Sequence, residues 1–281
     1  MFAFFPKKKY GQNFLINKSH IEKIVQIIVN ENPKHVVEIG AGRGEITIPL
    51  AMKVEKITAI EIDSDAVNLI TEKIKNFGIT NIELVHGNVL ELDLGEMLNH
   101  DTIVFGNLPY NIATLIISRL ELLRSKLKKA ILMVQNEVAE RLCAVPGSKA
   151  YGSLSIFTQY NSKAKILLRL KSSCFWPRPE VDSALVMLDY LLPYPRRALN
   201  EEAFRNITSG IFRHRRKTIL NALSLAGCDF PRQMLEEILF KCGIDPKLRP
   251  EKLSIDNILE LSDQLFLSGL YTGALFKFDQ K

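Results

Sequence analysis

The stretch V-V-E-I-G-A-G-R-G-E-I-T, residues 36–47, decides the fold of this chain. It opens with a short apolar run rich in β-branched residues, which predicts a strand, and an apolar helical pattern follows it. Between the two, glycines occupy positions 40, 42 and 44. Glycine adopts backbone dihedrals that a Cβ forbids and lets a ligand approach the main chain closely, so we predict a strand, a tight turn and a helix start.

The position of an acidic residue indicates what this turn binds. Glu61 lies 21 residues beyond Gly40, in a second apolar run at residues 57–63. A carboxylate at that strand end can accept two hydrogen bonds from a ribose, which predicts a nucleoside-containing cofactor. Because the glycines follow G-x-G-x-G rather than the G-x-G-x-x-G associated with a pyrophosphate, S-adenosylmethionine is favoured over NAD. The alternative is a glycine-rich turn that binds no ligand.

The composition is that of a globular protein with room for one large and one small domain. The chain has 281 residues, 47% of them hydrophobic, and no run of 18 apolar residues. The N-terminal lysines follow the apolar residues, opposite to a secretory signal, so no membrane span and a cytoplasmic location are expected. The cysteines (Cys143, Cys174, Cys228 and Cys242) and the histidines show no ligand spacing, so we expect neither a disulfide framework nor a metal site.

The order of predicted elements indicates the fold class. Seven strands are predicted to begin near residues 36, 57, 82, 102, 130, 164 and 184. Helical patterns alternate with the first five, which predicts a doubly wound, mostly parallel, seven-stranded α/β sheet, and the last two strands predict an antiparallel edge pair. A proline-containing linker follows, and then short amphipathic helices. We therefore expect a catalytic domain at residues 1–192 and a small all-α domain at residues 193–281.

A second motif, N-L-P-Y at residues 107–110, follows the fourth predicted strand, where open α/β sheets bind ligands. An exocyclic aromatic amine is a poor nucleophile until acceptors hold its hydrogens and let the nitrogen become tetrahedral. We predict that the Asn107 side-chain oxygen and the Leu108 carbonyl are those acceptors. Pro109 would fix the turn, and Tyr110 would stack on the base. A sulfonium methyl is already activated, so positioning dominates. The alternative is a proline turn with a surface tyrosine.

Further motifs are collinear with these two along almost the whole chain. They are Y-G-Q-N-F-L (residues 10–15), A-I-E-I-D (59–63), M-V-Q-N-E-V-A-E-R-L (133–142), F-W-P-R-P-E-V-D-S-A (175–184), F-R-H-R-R-K-T (212–218) and L-R-P-E-K-L-S (248–254). Together they resemble the ribosomal RNA adenine N6-dimethyltransferase family. Its bacterial members use S-adenosyl-L-methionine to dimethylate two adjacent adenines near the 3′ end of small-subunit (16S) rRNA. The resemblance implies this activity and a class I methyltransferase fold.

The resemblance also implies roles for cofactor-binding residues. Asn13 and Leu15 would close over the cofactor, Gly40 would contact it through the main chain, and Glu61 would hold its ribose. At one position the chain departs from the family, which usually has Asp after the third strand, where this chain has Asn88. An amide oxygen can still accept from the adenine amine of the cofactor, but without charge, so a weaker hydrogen bond is expected.

Two further roles concern the target base. Asn107 would be both a neighbour of the cofactor and the acceptor for the target amine. Phe175 would form the second face of an aromatic clamp with Tyr110, which a base needs once it has been taken out of its stack.

Positive charge is concentrated between residues 196 and 217. This segment contains seven Lys or Arg and two Glu, whereas the net charge of the whole chain is +6. Arg213, Arg215, Arg216 and Lys217 predict contact with an RNA backbone, and Lys7–Lys9 form a smaller basic cluster. A solvated helix face is the alternative. The expected partner is small-subunit rRNA in an assembling subunit, bound by a monomer.

Two other functions fit parts of the sequence. A large-subunit rRNA adenine methyltransferase of the antibiotic-resistance type shares the glycine and N-L-P-Y-type motifs, although the C-terminal motifs match the small-subunit family. A non-catalytic RNA-binding assembly factor would keep the fold. The presence of Gly40, Glu61, Asn107 and Tyr110 argues against it.

Overall fold

A computed structural model describes residues 5–226 and 230–269, apart from the side chain of Lys8. Cys228 lies outside these residues. The chain divides into two compact units, of which the first contains residues up to 140 and residues 161–193. The second contains residues 141–160 and the chain from residue 194 onward. No described helix has both the length and the apolar character needed to cross a membrane.

A seven-stranded sheet and a separate two-stranded pair contain all the described strands. In chain order these are β1 (Phe14–Leu15), β2 (His35–Ile39), β3 (Lys56–Glu61), β4 (Ile82–His86), β5 (Thr102–Asn107), β6 (Lys129–Gln135), β7 (Lys163–Leu170), β8 (Phe175–Trp176) and β9 (Ser183–Asp189). The large sheet has the order β4-β3-β2-β5-β6-β9-β7, and β1 pairs with β8.

The predicted doubly wound, mostly parallel sheet is confirmed. Strands β2 to β6 pair in parallel, and β9 is antiparallel to both of its neighbours, β6 and β7. The predicted antiparallel pair of β7 and β9 is therefore present. Of these two strands only β7 lies at an edge of the sheet, because β9 lies between β6 and β7. All five residues of β2 are buried, as expected for a central strand covered on both faces.

Helices cover the sheet and form the second unit. They are α1 (Lys18–Asn30), α2 (Thr47–Ala51), α3 (Ser64–Asn76), α4 (Leu94–Met97), α5 (Ala113–Leu122), α6 (Asn136–Leu142), α7 (Ser153–Asn161), α8 (Glu201–Arg213), α9 (Ile219–Leu225), α10 (Arg232–Lys241) and α11 (Ile255–Leu267). In α1, the apolar face that its sequence predicts packs Ile24 and Ile28 into the core of the sheet.

The second unit has a hydrophobic core of its own. Tyr151, Ile156 and Tyr160 are buried in the same cluster as Phe204 of α8 and Leu259 of α11. Residues 141–160, which the sequence assigned to a first domain at residues 1–192, therefore belong with the second unit. The reason is that these aromatic and apolar side chains are buried by contacts with helices far along the chain, which the local pattern does not encode.

Candidate active site

The glycine turn after β2 has the backbone conformation that its sequence predicts. Gly40, Gly42 and Gly44 have φ of 78°, 58° and 79°, a region in which an L side chain is strained. A Cβ at Gly42 would lie 3.0 Å from the ring of Phe14, so this position also lacks room for a side chain. Main-chain N–H groups of Gly40 and Ala41 donate to the carbonyl of Ile60 and anchor the turn to β3.

A cleft at the carboxyl ends of the parallel strands brings several predicted residues together. The cleft is lined by Leu15, Gly40, Glu61, Asn107 and Pro109 among others. An adjoining cavity shares Gly40 and Pro109 and is also lined by Asn88.

Glu61, at the end of β3, is held in a defined orientation. Its carboxylate is 4% exposed and accepts from the main-chain N–H of Gly42 at 2.7 Å and of Asp63 at 2.8 Å. Burial raises the pKa of Glu61, and these main-chain hydrogen bonds oppose that rise. The main-chain N–H of Ile62 also opposes the rise, and because a carboxylate has about four acceptor positions, acceptor capacity remains for a ligand such as a ribose.

Asn107, the last residue of β5, begins the N-L-P-Y turn. Its Nδ2 donates to the main-chain oxygen of Asn13 at 2.8 Å, so Oδ1 is the end of the amide available to a ligand. The N–H of Leu108 donates to Met133 on β6 at 3.0 Å and anchors the turn. Asn13 and Asn107, 94 residues apart in sequence, are thus in direct contact.

Tyr110 and Phe175 have different environments. Tyr110 is half-buried, its hydroxyl lies 3.3 Å from Ser183 Oγ, and burial raises its pKa. Phe175 pairs with Leu15 between β8 and β1 and is 3% exposed within the core. A ring buried in this way offers no free face to a base, so the clamp predicted between Tyr110 and Phe175 would require Phe175 to move.

An N-terminal strap, defined as residues 7–12, is fixed to the chain just beyond β3. Lys7 Nζ lies 2.5 Å from Asp63 and 2.6 Å from Asp65, and Gln12 donates to Asp63 at 2.9 Å. Burial alone would raise the pKa of Asp63, but the hydrogen bonds from Lys7, Gln12 and Asp65 outweigh it and lower the pKa. The cleft is lined by Tyr10, Gly11 and Gln12, so the strap forms one of its walls.

The strap changes the interpretation of the N-terminal basic cluster. Lys7 was expected to contribute to phosphate binding, but its ammonium group is paired with two carboxylates. Lys9 lies over the ring of Tyr10 at 4.5 Å from the ring centroid, and the side chain of Lys8 is outside the described part. Within this cluster, Lys7 therefore has a structural role that its sequence context did not indicate.

The turn after β4 carries the unusual Asn88. Asn88 Oδ1 accepts from the N–H of Leu90 at 3.1 Å, and Nδ2 donates to Glu91 Oε1 at 2.7 Å. From α5, the guanidinium group of Arg119 donates to the carbonyls of Val89, at 2.6 Å, and Leu92. This turn is therefore held both from within and by a helix 30 residues away in sequence.

Sequence reasoning missed Glu38 in the wall of the cleft. Glu38 lies in the middle of β2, is 2% exposed, and its Oε2 has no hydrogen-bond partner in the described structure. Burial raises its pKa to about 8, with Thr47 nearby opposing the rise and Glu45 and Glu61 adding to it. A charged residue inside the apolar run V-V-E-I was the signal that could have identified it.

The basic segment of the second unit is only partly available to a ligand. Arg215 donates to Glu251 at 2.9 Å and to the carbonyl of Lys149 at 3.0 Å. Arg213, Arg216 and Lys217 are exposed. Arg215 therefore contributes to the packing of this unit, whereas the side chains of its three neighbours are accessible to solvent.

Two arginines counted in the same charge excess have internal partners. Arg196 pairs with Glu260 and Asp263, both at 2.8 Å, and Arg197 stacks over the ring of Tyr160 at 4.0 Å from its centroid. Both guanidinium groups are therefore engaged within the second unit, although Arg197 is also exposed to solvent. In the described ranges, no group of three or more His, Cys, Asp or Glu residues is placed to hold a metal ion.

Comparison with known proteins connects this geometry to a family. The family model for ribosomal RNA adenine dimethylase matches residues 4–266. Ribosomal RNA small subunit methyltransferase A from Clostridium botulinum (strain Loch Maree / Type A3) is 38% identical over 92% of this chain and 94% of its own. The protein of the same name from Shouchella clausii (strain KSM-K16) is 38% identical over 94% of this chain and 91% of its own.

Solved structures agree with this similarity. A dimethyladenosine transferase from Plasmodium falciparum has a TM-score of 0.75 and 25% identity, covering 91% of this chain and 98% of its own. The 23S rRNA methyltransferase ErmE, with a TM-score of 0.68 and 22% identity over 90% of this chain and 99% of its own, shares the fold. Since the family model spans nearly the whole chain, which folds as that family's structures do, this chain belongs to the ribosomal RNA adenine dimethylase family.

Proposed function

We propose that this member of the family transfers methyl groups from S-adenosyl-L-methionine to N6 of adenines in small-subunit rRNA. The target would be two adjacent adenines near the 3′ end of 16S rRNA, each converted to N6,N6-dimethyladenosine during assembly of the small subunit. Relatives 38% identical to this chain and named small-subunit methyltransferases support that substrate. On this proposal the protein acts as a monomer in the cytoplasm, where that RNA is assembled.

The residues of the cleft fit the proposed cofactor. The turn at Gly40 and Gly42 leaves main chain exposed where a Cβ would be strained, and Glu61 keeps acceptor capacity for a ribose hydroxyl. Leu15 and the strap would cover the cofactor, while Asn13 would contribute through its main chain, which already holds Asn107. When bound, the cofactor supplies a sulfonium methyl that is already activated for transfer.

The observation that carries the proposed chemistry is the orientation of the Asn107 amide. Because its nitrogen donates to Asn13, its oxygen is directed to accept, and the Leu108 carbonyl is the second acceptor proposed. Two acceptors would hold the hydrogens of the target amine and let its lone pair leave conjugation with the ring. The half-buried ring of Tyr110 would supply the stacking face.

For the RNA, we propose that Arg213, Arg216 and Lys217 contact phosphates. Their exposure supports this role, since a phosphate contact requires an accessible cation. These residues belong to a basic turn at residues 213–217, and Arg215 would act mainly by holding this basic turn to Glu251.

The proposal is tested with the full-length protein, labelled S-adenosylmethionine and ribosomal subunits from cells that lack the modification. After reaction, the RNA is digested to nucleosides and these are separated. Labelled N6,N6-dimethyladenosine from small subunits, with large subunits unlabelled, is the expected result. Label confined to large-subunit RNA would instead indicate the antibiotic-resistance type of activity. No transfer to either, with tight small-subunit binding, would indicate a non-catalytic assembly factor.

A further inference from the structure

Asn88 lines the cavity next to the cleft. An amide side chain has an accepting end and a donating end, and either could face a ligand. The two ends recognise different groups, because the oxygen accepts from an amine whereas the nitrogen donates to a carbonyl. A purine with a 6-amino group, such as adenine, requires the oxygen. A purine with a 6-oxo group, such as hypoxanthine, requires the nitrogen. Whatever fixes the amide therefore decides which purine is preferred.

The contacts of Asn88 select one orientation. Its Nδ2 donates to Glu91 Oε1 at 2.7 Å. A carboxylate can accept such a hydrogen bond only from the nitrogen end of an amide. The N–H of Leu90 donates to Oδ1 at 3.1 Å, in the same sense but at a longer distance. Oδ1 has two acceptor positions, so one remains after the hydrogen bond from Leu90.

The main chain around this pair is rigidly connected. The N–H groups of Glu91 and Leu92 donate to the carbonyl of Asn88 at 2.9 and 3.1 Å, and Arg119 donates to the carbonyl of Val89. These bonds do not involve the Glu91 side chain, which is exposed. A substitution of that side chain should therefore release the amide of Asn88 while leaving the turn in place.

A comparable arrangement occurs at Asn107, which lines the cleft itself. There the nitrogen donates to the carbonyl of Asn13 at 2.8 Å, which fixes the orientation of the amide, and both acceptor positions of the oxygen are left for a ligand on the proposed function. In both places a fixed acceptor engages the amide nitrogen. Asn107 uses the main chain for this purpose, and Asn88 uses the side chain of Glu91.

We propose that Glu91 is a positioning residue that fixes the Asn88 amide with its oxygen toward the cavity and thereby makes the site selective for a 6-amino over a 6-oxo purine. The inference rests on the proposed function, because it requires the cofactor's nucleoside to occupy this cavity. Without Glu91 the amide can rotate and offer its nitrogen to a 6-oxo group, a rotation that the hydrogen bond from Leu90 opposes.

Calorimetric titration with S-adenosylhomocysteine and its 6-oxo analogue, S-inosylhomocysteine, tests this selectivity directly. One correctly oriented hydrogen bond corresponds to roughly a tenfold preference for the 6-amino compound in the wild-type protein. In Glu91→Ala this ratio should fall several-fold. Glu72→Ala, which removes an equal charge from an exposed site on α3, is the matched control and should keep the wild-type ratio.

Rescue separates positioning from a general loss of structure. In Glu91→Ala, the further change Asn88→Asp should restore the preference, because a carboxylate has no donor end. In Asn88→Asp alone, the new carboxylate would lie next to that of Glu91, where the amide now makes its 2.7 Å contact. Because the two negative charges repel each other, this single variant should bind the 6-amino compound less tightly than the double variant.

The outcomes distinguish this inference from the function on which it rests. Wild-type protein that binds neither compound would overturn both. Suppose that the wild-type protein prefers the 6-amino compound and that the affinity ratio of Glu91→Ala is within about twofold of the wild-type ratio. The positioning role of Glu91 alone would then be overturned. The same holds if Asn88→Asp binds equally well with and without Glu91.

Discussion

The cleft of the first unit and the basic turn of the second place their polar groups under opposite conditions. In the cleft, Glu61 and Glu38 are buried, and Glu61 already accepts two main-chain hydrogen bonds. In the basic turn, Arg216 and Lys217 are exposed. Buried groups interact strongly and are costly to leave unpaired, whereas exposed charges are screened by salt and water.

This difference indicates how each region recognises its ligand. Fixed, buried groups discriminate by geometry, so one substitution in the cleft should change chemistry or folding stability by a large factor. Exposed cations discriminate weakly and add their effects, so substitutions in the basic turn should change affinity in increments that depend on salt. Four predictions test this contrast, from the largest expected effect to the smallest.

Asn107→Ala removes the oriented acceptor in the cleft. Turnover should fall by roughly 100-fold or more, as for the loss of one group that stabilises a transition state elsewhere. Binding of S-adenosylhomocysteine should weaken but persist, because Gly40 and Glu61 are unchanged. Single-turnover methyl transfer and calorimetry measure the two effects. Asn68→Ala, at an exposed position of α3, is the control, and turnover of Asn107→Ala within about tenfold of wild type would refute the assignment.

Glu38→Gln tests the buried carboxyl group of the cleft through pH. The folded-state pKa, about 8, lies above the ordinary value of 4.5, so Glu38 favours folding fully below pH 4.5 and loses that contribution as pH rises toward 8. Gln does not titrate, so the variant should gain stability relative to wild type between pH 5 and 8, on the order of 3 kcal/mol.

Chemical denaturation across this pH range measures the Glu38 effect. Glu72→Gln, on the exposed face of α3, should follow the wild-type pH profile. Parallel profiles for wild type and Glu38→Gln would show that Glu38 stays ionised in the folded protein.

The double variant Arg216→Ala/Lys217→Ala tests the exposed charges while leaving the Arg215 pair with Glu251 intact. Affinity for small subunits should fall, and the slope of log affinity against log salt should flatten by roughly 0.7 to 0.9 units for each phosphate that the variant no longer neutralises. Affinity for S-adenosylhomocysteine should not change.

Lys53→Ala/Lys75→Ala removes the same charge from exposed positions of the first unit and serves as the control. If the Arg216 and Lys217 variant binds with wild-type affinity and salt slope, the basic turn is a solvated surface and the RNA is held elsewhere.

Asp63→Asn loosens the strap that forms one wall of the cleft. Asn keeps one acceptor oxygen but cannot accept from both Lys7 and Gln12, so cofactor affinity should fall several-fold, about the contribution of one hydrogen bond. Proteolysis near the strap should accelerate in the absence of cofactor. Asp65→Asn, which removes only the second partner of Lys7, should have a smaller effect on both measurements. Equal effects of the two variants would argue against Asp63 as the anchor.

Local sequence was sufficient for the framework and for part of the site. Gly40, Gly42 and Gly44 have the positive φ that their spacing predicts, because dihedral limits act within a single residue. Glu61 and Asn107 lie at the cleft because parallel strands place their carboxyl ends at one edge of a sheet. Alternating strand and helix patterns predicted the doubly wound fold, since each pattern is set by the order of apolar and polar residues within one short segment.

Only the tertiary structure decided which residues meet across long separations. Asp63 anchors Lys7 from 56 positions away, and Arg215 is paired with Glu251 36 positions along the chain, so neither cation is the free charge that its local run of Lys and Arg predicts. Phe175 is buried by its pairing with Leu15 rather than displayed beside Tyr110. The sequence by itself determined the elements and the chemistry they can offer, because periodicity and backbone limits are local. Burial and charge pairing depend on which distant groups pack together, and those required the folded chain.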